Sequence, residues 1–170
     1  MGLAPYGKPT YLDLFRRIVF PKGDGFELNM EYFTHHKRGI SMTWENGAPI
    51  VAPFHSDRLE RELGPAREPR SEVTERHQDI AASLQAVTEE ILFHLLVRLH
   101  ERTRSDRVCI AGGVAMNSVA NGKVTLNTPF KEVYVPGGAA DNGTSFGAAF
   151  YVWHKILGKP RDFILDHAYW

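Results

Sequence analysis

The sequence has one cysteine, no excess of either charge and no long apolar run, and each absence excludes a class of protein. Cys109 is the only cysteine among 170 residues, so no disulfide can form within the chain. Basic and acidic residues number 20 each, so no positive surplus directs the chain to nucleic acid or to an anionic membrane. No run of about 18 apolar residues predicts a membrane span, and no charged-then-apolar start predicts a signal peptide. We therefore expect a cytoplasmic protein that binds neither nucleic acid nor membrane.

The length suits one domain or one large lobe, with enough chain to bury a core. Residues 1–70 form the strand-rich part, and prolines and charges over residues 64–70 indicate a surface connection to residues 71–170. The predicted helices of this part are residues 11–19 and 54–63, the latter capped by Ser56 or Asp57. The predicted strands are residues 25–30, 40–44 and 49–51. Tyr32 and Phe33 are candidates to extend the first of these strands, and Asn46-Gly47 is a good signal for a hairpin turn between the second and the third.

A long amphipathic helix over residues 73–103 is the strongest prediction in the chain. Its apolar positions recur at spacings of three and four, as one face of a helix requires. They are Ile80, Leu84, Val87, Ile91, Leu95 and Leu99, with Leu92 and Leu96 widening the stripe. We expect this stripe to pack on a sheet or between lobes. His94 and His100 lie too far apart to share one turn, so we interpret them as surface or boundary residues rather than ligands.

Two strand–helix units follow, with strands over residues 107–111 and 132–135 and helices over residues 114–124 and 144–157. Gly158 suits the C-cap of the second helix and Pro160 its stop. The first strand is apolar without alternation, as expected when both faces are covered, so Cys109 is predicted to be a small buried side chain rather than a nucleophile. A unit of this length implies parallel strands and a right-handed crossover. The loops after both strands then lie at one edge, where open α/β sheets bind ligands.

The first of these loops carries two glycines, Gly112 and Gly113. A strand, a glycine pair and a helix let a backbone approach a phosphate or a ribose closely, but a plain tight turn favours glycine as well. Asn117 and Asn121 are four residues apart and would share a helix face. Their amides suit the hydroxyls or base edge of a nucleotide; alternatively, they cap and stabilise the helix and the turn at Gly122.

The second loop, residues 136–144, has small residues around one carboxylate, Asp141. Asp141 can cap the helix that is predicted to begin near Thr144, or it can serve at a metal or phosphate site. The small neighbours leave room for a ligand, which a cap alone does not require. Two such loops at one sheet edge favour a ligand-binding cleft over two unrelated turns.

His35 and His36 are a tempting metal pair. Adjacent side chains of a strand point to opposite faces, so the two would be poor joint ligands. No Ser-His-Asp set and no Cys-His nucleophile pair has support in the sequence pattern.

Four separated motifs resemble the carbamoyltransferase family in order and spacing. They are MGLAPYGKP at residues 1–9, RHQDIAASLQAVTEE at 76–90, IAGGVAMNSVANGKV at 110–124 and ADNGTSFGAAFY at 140–151. That family includes nodulation-factor carbamoyltransferases and the O-carbamoyltransferases of antibiotic biosynthesis. The match extends over nearly the whole chain.

The resemblance implies an α/β fold of the RNase H-like type, as one lobe of an actin-like ATPase domain. Such a lobe would have a mixed sheet, a long packing helix and C-terminal βαβα units. In this family, carbamoyl phosphate and ATP give carbamoyl-adenylate in a YrdC-like domain. The actin-like domain binds that adenylate with a metal ion, often iron, and passes the carbamoyl group to a substrate hydroxyl.

The resemblance also implies roles for residues of both loops. The residues that match the family's nucleotide loop, or would line its phosphate side, are Gly112, Gly113, Val114, Asn117, Gly143 and Thr144. Asp141 matches the aspartate that holds the metal together with two histidines of an HxxxH motif. The family usually has Gly-Asp-Ala-Gly where this chain has Ala-Asp-Asn-Gly at residues 140–143, a departure that bears on the geometry of the metal.

No HxxxH motif occurs in the 170 residues. We therefore expect the histidines to come from a preceding first lobe and the adenylate from a YrdC-like domain, so that residues 1–170 form a single lobe with little or no turnover of its own. A second hypothesis, from another class, is a non-catalytic interaction lobe. Its exposed apolar surface would pair with another chain or with a second copy as a homodimer.

Overall fold

The computed structural model describes residues 1–162 and 164 of the chain. It forms two compact units, Met1–Leu95 and Leu96–Trp170, each of which mixes helices with strands, so the predicted α/β class is confirmed. The strands within the described residues pair as three separate two-stranded sheets, antiparallel in the first unit and parallel in the second. The order of antiparallel and then parallel pairing was predicted, whereas three small sheets replace the single mixed sheet that was expected.

The first unit begins with a 3-10 turn, Ala4–Tyr6, and helix α1, Leu12–Ile18. The helix was predicted to include Val19 and to be followed by a turn. It ends one residue earlier, because Val19 begins strand β1, Val19–Lys22, which pairs antiparallel with β2, Gly25–Leu28. Pairing with the predicted β2 overrides the local helical pattern, and a β-branched residue suits a strand.

Turns, rather than an extension of β2, follow at residues 29–38. A 3-10 turn spans Met30–Tyr32, and the Asn29 side chain accepts a hydrogen bond from the Glu31 amide at 3.1 Å. A short helix, α2, spans His35–Arg38. The prediction that placed Tyr32 and the histidine pair on a strand was wrong, because the Asn29 side chain begins a turn of the kind that asparagine favours.

The predicted hairpin forms around Asn46-Gly47. Strands β3, Met42–Glu45, and β4, Ala48–Val51, pair antiparallel on either side of it. Asn46 and Gly47 have φ angles of 49° and 80°. Two successive positive φ angles are what a two-residue type I′ hairpin turn requires, so this local signal was sufficient to predict the turn.

Helix α3, Asp57–Leu63, lies at the predicted place. Ser56 occupies its N-cap position, but the Ser56 hydroxyl donates to the Glu31 carbonyl at 2.7 Å and makes no capping bond to the helix. The predicted side-chain cap is therefore replaced by a link between the start of α3 and the preceding turn.

Glu62 of α3 is the centre of a charge cluster in the first unit. Its carboxylate accepts hydrogen bonds from Arg58 Nε at 3.0 Å, from the Tyr32 hydroxyl at 2.9 Å and from Arg17 Nη2 at 2.9 Å. Arg58 also lies over the fully buried Tyr32 ring, 4.6 Å from its centroid. These donors, Arg58 first, hold the pKa of Glu62 below its ordinary value. The cluster connects α1 and α3 at the rim of the core.

Helix α4, Glu75–Thr103, is the long helix that the apolar spacing predicted. The core of the first unit consists of Leu14, Phe15, Ile18, Tyr32 and Val87. Ile91 is buried as expected, whereas Leu84 and Leu99 are exposed. The buried stripe is narrower than predicted, because α1 and one turn cover less of a helix than a sheet would.

By length and composition alone, α4 is able to cross a membrane, contrary to the expectation that no segment would be. The core helix of a globular unit passes the same test. Val87 of α4 is buried in the core, and Asp79 and Ser83 accept hydrogen bonds from the N-terminal segment. These contacts favour the interpretation of α4 as a core helix.

The N-terminal segment docks on α4 through polar contacts and a close glycine approach. The Lys8 amide donates to Asp79 Oδ1 at 2.7 Å, and the Tyr11 amide donates to the fully buried Ser83 hydroxyl at 2.9 Å. A Cβ on Gly7 would lie 2.2 Å from the backbone of α4, so the approach requires glycine. The first two of the four recognised motifs therefore contact each other and have a packing role.

In the second unit, strands β5, Arg107–Cys109, and β6, Glu132–Tyr134, pair in parallel as predicted. The single helix expected over residues 114–124 is broken into pieces. They are a 3-10 turn, Gly113–Met116, helix α5, Ser118–Asn121, and helix α6, Val124–Asn127. The break follows from Asn117, whose side chain caps α5 and so favours a fresh helix start at that position.

The helix predicted over residues 144–157 is present as two consecutive segments of different helix type. After a 3-10 turn, Asp141–Gly143, helix α7 spans Thr144–Phe150 and continues as a π-helix, Tyr151–Ile156. Gly158 has a φ of 62°, as its predicted position at the helix end requires.

Cys109 is exposed, which corrects the prediction of a small buried side chain. Successive residues of a strand point to opposite faces, and in β5 only Val108 is buried. The described residues cover one face of the β5–β6 pair, whereas the apolar sequence pattern predicted that both faces would be covered.

Candidate functional site

Loop one, residues 110–117, leaves β5 through Gly112. Gly112 has a φ of 101°, which residues with a side chain rarely adopt. Its amide donates to the Ala139 carbonyl at 2.7 Å, so a backbone hydrogen bond joins loop one to loop two, residues 136–144. The two loops that were predicted to share an edge of the sheet are therefore in direct contact.

Gly113 and Val114 form the open part of loop one. A Cβ on Gly113 would meet no atom within 4 Å, and Val114 is 57% exposed. Their amides begin the 3-10 turn and donate no backbone hydrogen bond to any residue in 1–162 or to residue 164. Two adjacent N–H groups are thus available to an acceptor that approaches from outside.

Asn117 and Asn121 do not present their side chains together on one helix face, and each makes its own local hydrogen bond. Asn117 precedes α5, and its side-chain oxygen accepts from the Ala120 amide at 3.1 Å. Asn121 turns back beneath loop one, and its Nδ2 donates to the carbonyl of the buried Ala115 at 2.6 Å. Of the two alternatives that the sequence left open, capping and stabilisation describe both residues in this structure.

Loop two is closed on itself by two glycines. A Cβ on Gly143 would lie 1.9 Å from the Gly138 carbonyl oxygen, and a Cβ on Gly138 would lie 2.8 Å from the Phe146 ring. The Thr144 hydroxyl donates to the Asp141 carbonyl at 2.6 Å within the same loop. Gly143 and Thr144, which were predicted to line a phosphate, here maintain the shape of the loop.

The Asp141 side chain is exposed and makes no hydrogen bond or ion pair with the part of the chain that the structure describes. It does not cap α7, because the 3-10 turn Asp141–Gly143 intervenes and Gly143 occupies the N-cap position. The capping interpretation is therefore wrong, and the carboxylate is free to bind a ligand.

Asp141 is the candidate metal ligand of loop two. Among residues 1–162 and 164, no group of three or more His, Cys, Asp or Glu side chains could hold a metal ion. His35 and His36 lie in the first unit, with ring centroids 5.9 Å apart and nearly perpendicular rings. The described residues thus supply one carboxylate and do not form a metal site by themselves.

Gly138 and Ala139 are site residues that the sequence analysis did not single out. The Ala139 carbonyl fixes Gly112, and Gly138 lets Gly143 approach within contact distance. The available signal was the run of four small residues, 137–140, since small side chains mark places where two backbone segments come close.

The two loops together give this edge of the second unit the features of a ligand site. A parallel strand pair ends in two glycine loops that touch each other, with free amides on one and a free carboxylate on the other. This arrangement is typical of α/β proteins that bind a polar ligand at the carboxyl ends of their strands.

The chain belongs to the carbamoyltransferase N-terminus family, whose profile matches residues 1–150. It is 40% identical, over 163 residues, to an uncharacterized protein of Synechocystis, with 95% of this chain and 25% of that protein covered. It is 34% identical, over 180 residues, to the nodulation protein NolO of Bradyrhizobium diazoefficiens, with 100% of this chain and 27% of that protein covered. For the nodulation protein NolNO of Sinorhizobium fredii the identity is 33% over 172 residues, with 100% and 22% covered.

The resemblance to carbamoyltransferases that the four motifs indicated is confirmed by these matches. The chain spans about a quarter of the length of the curated relatives that it matches. Both loops lie within the matched residues 1–150, and the helical segment that follows loop two continues beyond residue 150.

Proposed function

We propose that the chain supplies the nucleotide side of a site that transfers a carbamoyl group from carbamoyl-adenylate to a substrate hydroxyl. Membership of the carbamoyltransferase N-terminus family gives it a carbamoyltransferase-related role. The observation that carries the nucleotide assignment is the open face of loop one, where the Gly113 and Val114 amides have no backbone acceptor among the described residues. Adjacent backbone N–H groups with no side chain before them suit a phosphate or a ribose oxygen.

Each matched residue of loop one has a defined part in this proposal. The Gly113 and Val114 amides donate to the nucleotide. Gly112 is already bonded to Ala139, so its amide positions the loop instead of binding the ligand. Asn117 caps α5 and so fixes the end of the 3-10 turn. Hydrogen bonds that are preorganised in this way bind charge without a reorganisation cost.

We further propose that the two units represent one RNase H-like lobe of an actin-like ATPase domain. A first lobe and a YrdC-like domain would complete the site, which is consistent with a chain that spans about a quarter of its relatives. The acceptor hydroxyl would bind to parts of the protein beyond the described residues.

Asp141 is proposed as one carboxylate ligand of a divalent metal, with iron as the metal of the family. When bound, such an ion supplies Lewis-acid stabilisation of phosphate charge. Because no group of three or more metal-ligating side chains occurs among the described residues, the ligands that complete the site would come from outside them.

The test of nucleotide binding uses Gly113→Ala. The added methyl enters open space, so the fold should be unchanged, but the methyl occupies the face from which a phosphate approaches. Losing one charge-assisted hydrogen bond costs about 1.5–3 kcal/mol, so titration calorimetry with ATP and Mg²⁺ should show binding weakened by about tenfold or more. Gly2→Ala is the control, since its Cβ also meets open space, in the other unit. Equal ATP affinity in Gly113→Ala and the wild type would contradict the assignment.

A second candidate function is association, which one surface of the second unit favours. The segment after α7 exposes large apolar side chains, namely Val152, Trp153, Ile156 and Leu157, at 45–64% of their surface. Contiguous exposed apolar side chains are typical of surfaces that a partner covers. Light scattering that shows a homodimer, together with no heat on ATP addition, would favour this function over the first.

A further inference from the structure

We infer that Asn121 is a positioning residue for the nucleotide loop, a role that rests on the proposed nucleotide function and goes beyond it. The Nδ2 atom of Asn121 donates to the Ala115 carbonyl at 2.6 Å. Ala115 is in the middle of the 3-10 turn Gly113–Met116 and is 1% exposed. The hydrogen bond therefore reaches from the end of α5 to the turn whose first two amides are open.

The position of this bond makes it the internal support of loop one. Gly112 is held from loop two by the Ala139 carbonyl, and Asn117 is held by its own capping bond. Between them, the Ala115 carbonyl is fixed by Asn121. Gly113, Val114 and Ala115 are consecutive residues of one 3-10 turn, so fixing the Ala115 carbonyl holds the turn from which the Gly113 and Val114 N–H groups project.

The other end of the Asn121 amide indicates that the residue is not there for stability alone. Its Oδ1 is buried and has no hydrogen-bond partner among the described residues. A buried acceptor without a donor is unfavourable, and such groups in folded proteins call for an explanation. The explanation proposed here is that the site requires the N–H end of the amide, and the burial of Oδ1 is the consequence.

Asn121→Asp separates the donor from the shape of the side chain. Aspartate has nearly the same size, but its ionised form has no N–H and places a negative charge against the Ala115 carbonyl. Burial and the facing carbonyl oxygen both raise the pKa of a carboxyl above its usual value of about 3.9. Once protonated, the carboxyl can donate an O–H to Ala115, so the support is restored as the pH falls through the raised pKa.

A matched control is present on the neighbouring helix. Asn127 Nδ2 donates to the Lys123 carbonyl at 2.9 Å, also from a side chain to a backbone carbonyl, but this bond is exposed and joins the last residue of α6 to its N-cap residue. Asn127→Asp removes the same kind of bond without touching loop one. Any general effect of pH on ATP, on Mg²⁺ or on the fold appears equally in this control.

The experiment measures two quantities on the full chain at about pH 8, where the carboxyl is ionised, and at about pH 5, where a raised pKa favours its protonated form. The first is the hydrogen-exchange protection of the Ala115 and Met116 amides without nucleotide. In Asn121→Asp this protection should fall at the higher pH and return at the lower one, while the wild type and Asn127→Asp keep it. The second is the ATP–Mg²⁺ affinity, which should fall by about tenfold at the higher pH only.

The outcomes separate the two proposals. Unchanged protection in Asn121→Asp at the higher pH overturns the positioning role, whatever ATP does. Where the wild type binds ATP, protection that returns at the lower pH without a return of ATP affinity also overturns it, because the bond would then stabilise the loop without positioning it for the nucleotide. A wild-type chain that binds no ATP overturns the proposed nucleotide function, and the exchange data then report independently on the loop.

Discussion

At the scale of single residues, Glu62 connects the charge of one side chain to the stability of the first unit. Its ionised form accepts hydrogen bonds from Arg58, Tyr32 and Arg17, which hold its pKa below the ordinary value. A lowered pKa in the folded state means that the stabilising contribution is present above the unfolded pKa, about 4.3. It is lost as the pH falls from there through the folded pKa.

The prediction for Glu62→Gln concerns this pH window. Urea unfolding followed by fluorescence between about pH 5 and about pH 3 should show a shallower loss of stability in Glu62→Gln than in the wild type, because the variant has no carboxylate to protonate. Glu45→Gln is the control, since Glu45 is exposed and makes no ion pair with the described residues. Parallel curves for the wild type and Glu62→Gln would contradict the role of the cluster.

Also at the residue scale, the local geometry of the two loops could be predicted from the sequence only in part. Gly112, Gly113 and Asp141 were singled out from residue type and from the family resemblance. In the part of the chain that the structure describes, Gly113 is open and the Asp141 side chain has no partner. For Asn121 the sequence left open a nucleotide contact or a stabilising role, and in the structure its amide donates to the Ala115 carbonyl. The direction of an amide depends on where the helix begins, and the break at Asn117 moved that beginning.

At the scale of elements, the N-terminal segment and α4 show how a glycine determines packing. The Gly7 backbone lies so close to α4 that a Cβ would be 2.2 Å from a backbone atom of the helix. Just after Gly7 in the chain, the Lys8 amide donates a hydrogen bond to Asp79 of α4, and the Tyr11 amide donates one to Ser83 of α4. The glycine and the two acceptors act together, because the acceptors are within reach only when the backbones are close.

Gly7→Ala should therefore destabilise the first unit by about 1–3 kcal/mol, the range for overpacked positions. Thermal and urea unfolding of the whole chain measure this change. Gly2→Ala, which adds its methyl to open space, should stay within about 0.5 kcal/mol of the wild type. If the two variants were equally stable, the close approach would not be a determinant of the packing.

Elements with a strong local signal were predicted, and elements that depend on partners were not. The Asn46-Gly47 hairpin and the apolar repeat of α4 are encoded locally. The end of α1 was missed because Val19 pairs with a strand that comes later in the chain. Cys109 was expected to be buried because apolarity shows that a strand can be covered on both faces, whereas it does not show what covers it.

At the scale of the whole molecule, the proposed function divides the chemistry between this chain and two further parts, a first lobe and a YrdC-like domain. The chain is proposed to bind the nucleotide, and the adenylate is proposed to be made in a YrdC-like domain. The chain alone should therefore release no pyrophosphate from ATP and carbamoyl phosphate above a protein-free control. A coupled pyrophosphate assay measures this, and release that Gly113→Ala abolishes would contradict the division of labour.

The most direct test of the central claim is a site-resolved titration of the ¹⁵N-labelled chain with ATP and Mg²⁺, monitored through the backbone amide signals. The account predicts that the Gly113 and Val114 signals shift first and furthest, as their N–H groups gain an acceptor. It also predicts smaller shifts around Asp141 and none at the Asn46-Gly47 hairpin. Shifts confined to residues 1–95, or no shifts at millimolar ATP, would contradict the claim that loop one binds a nucleotide.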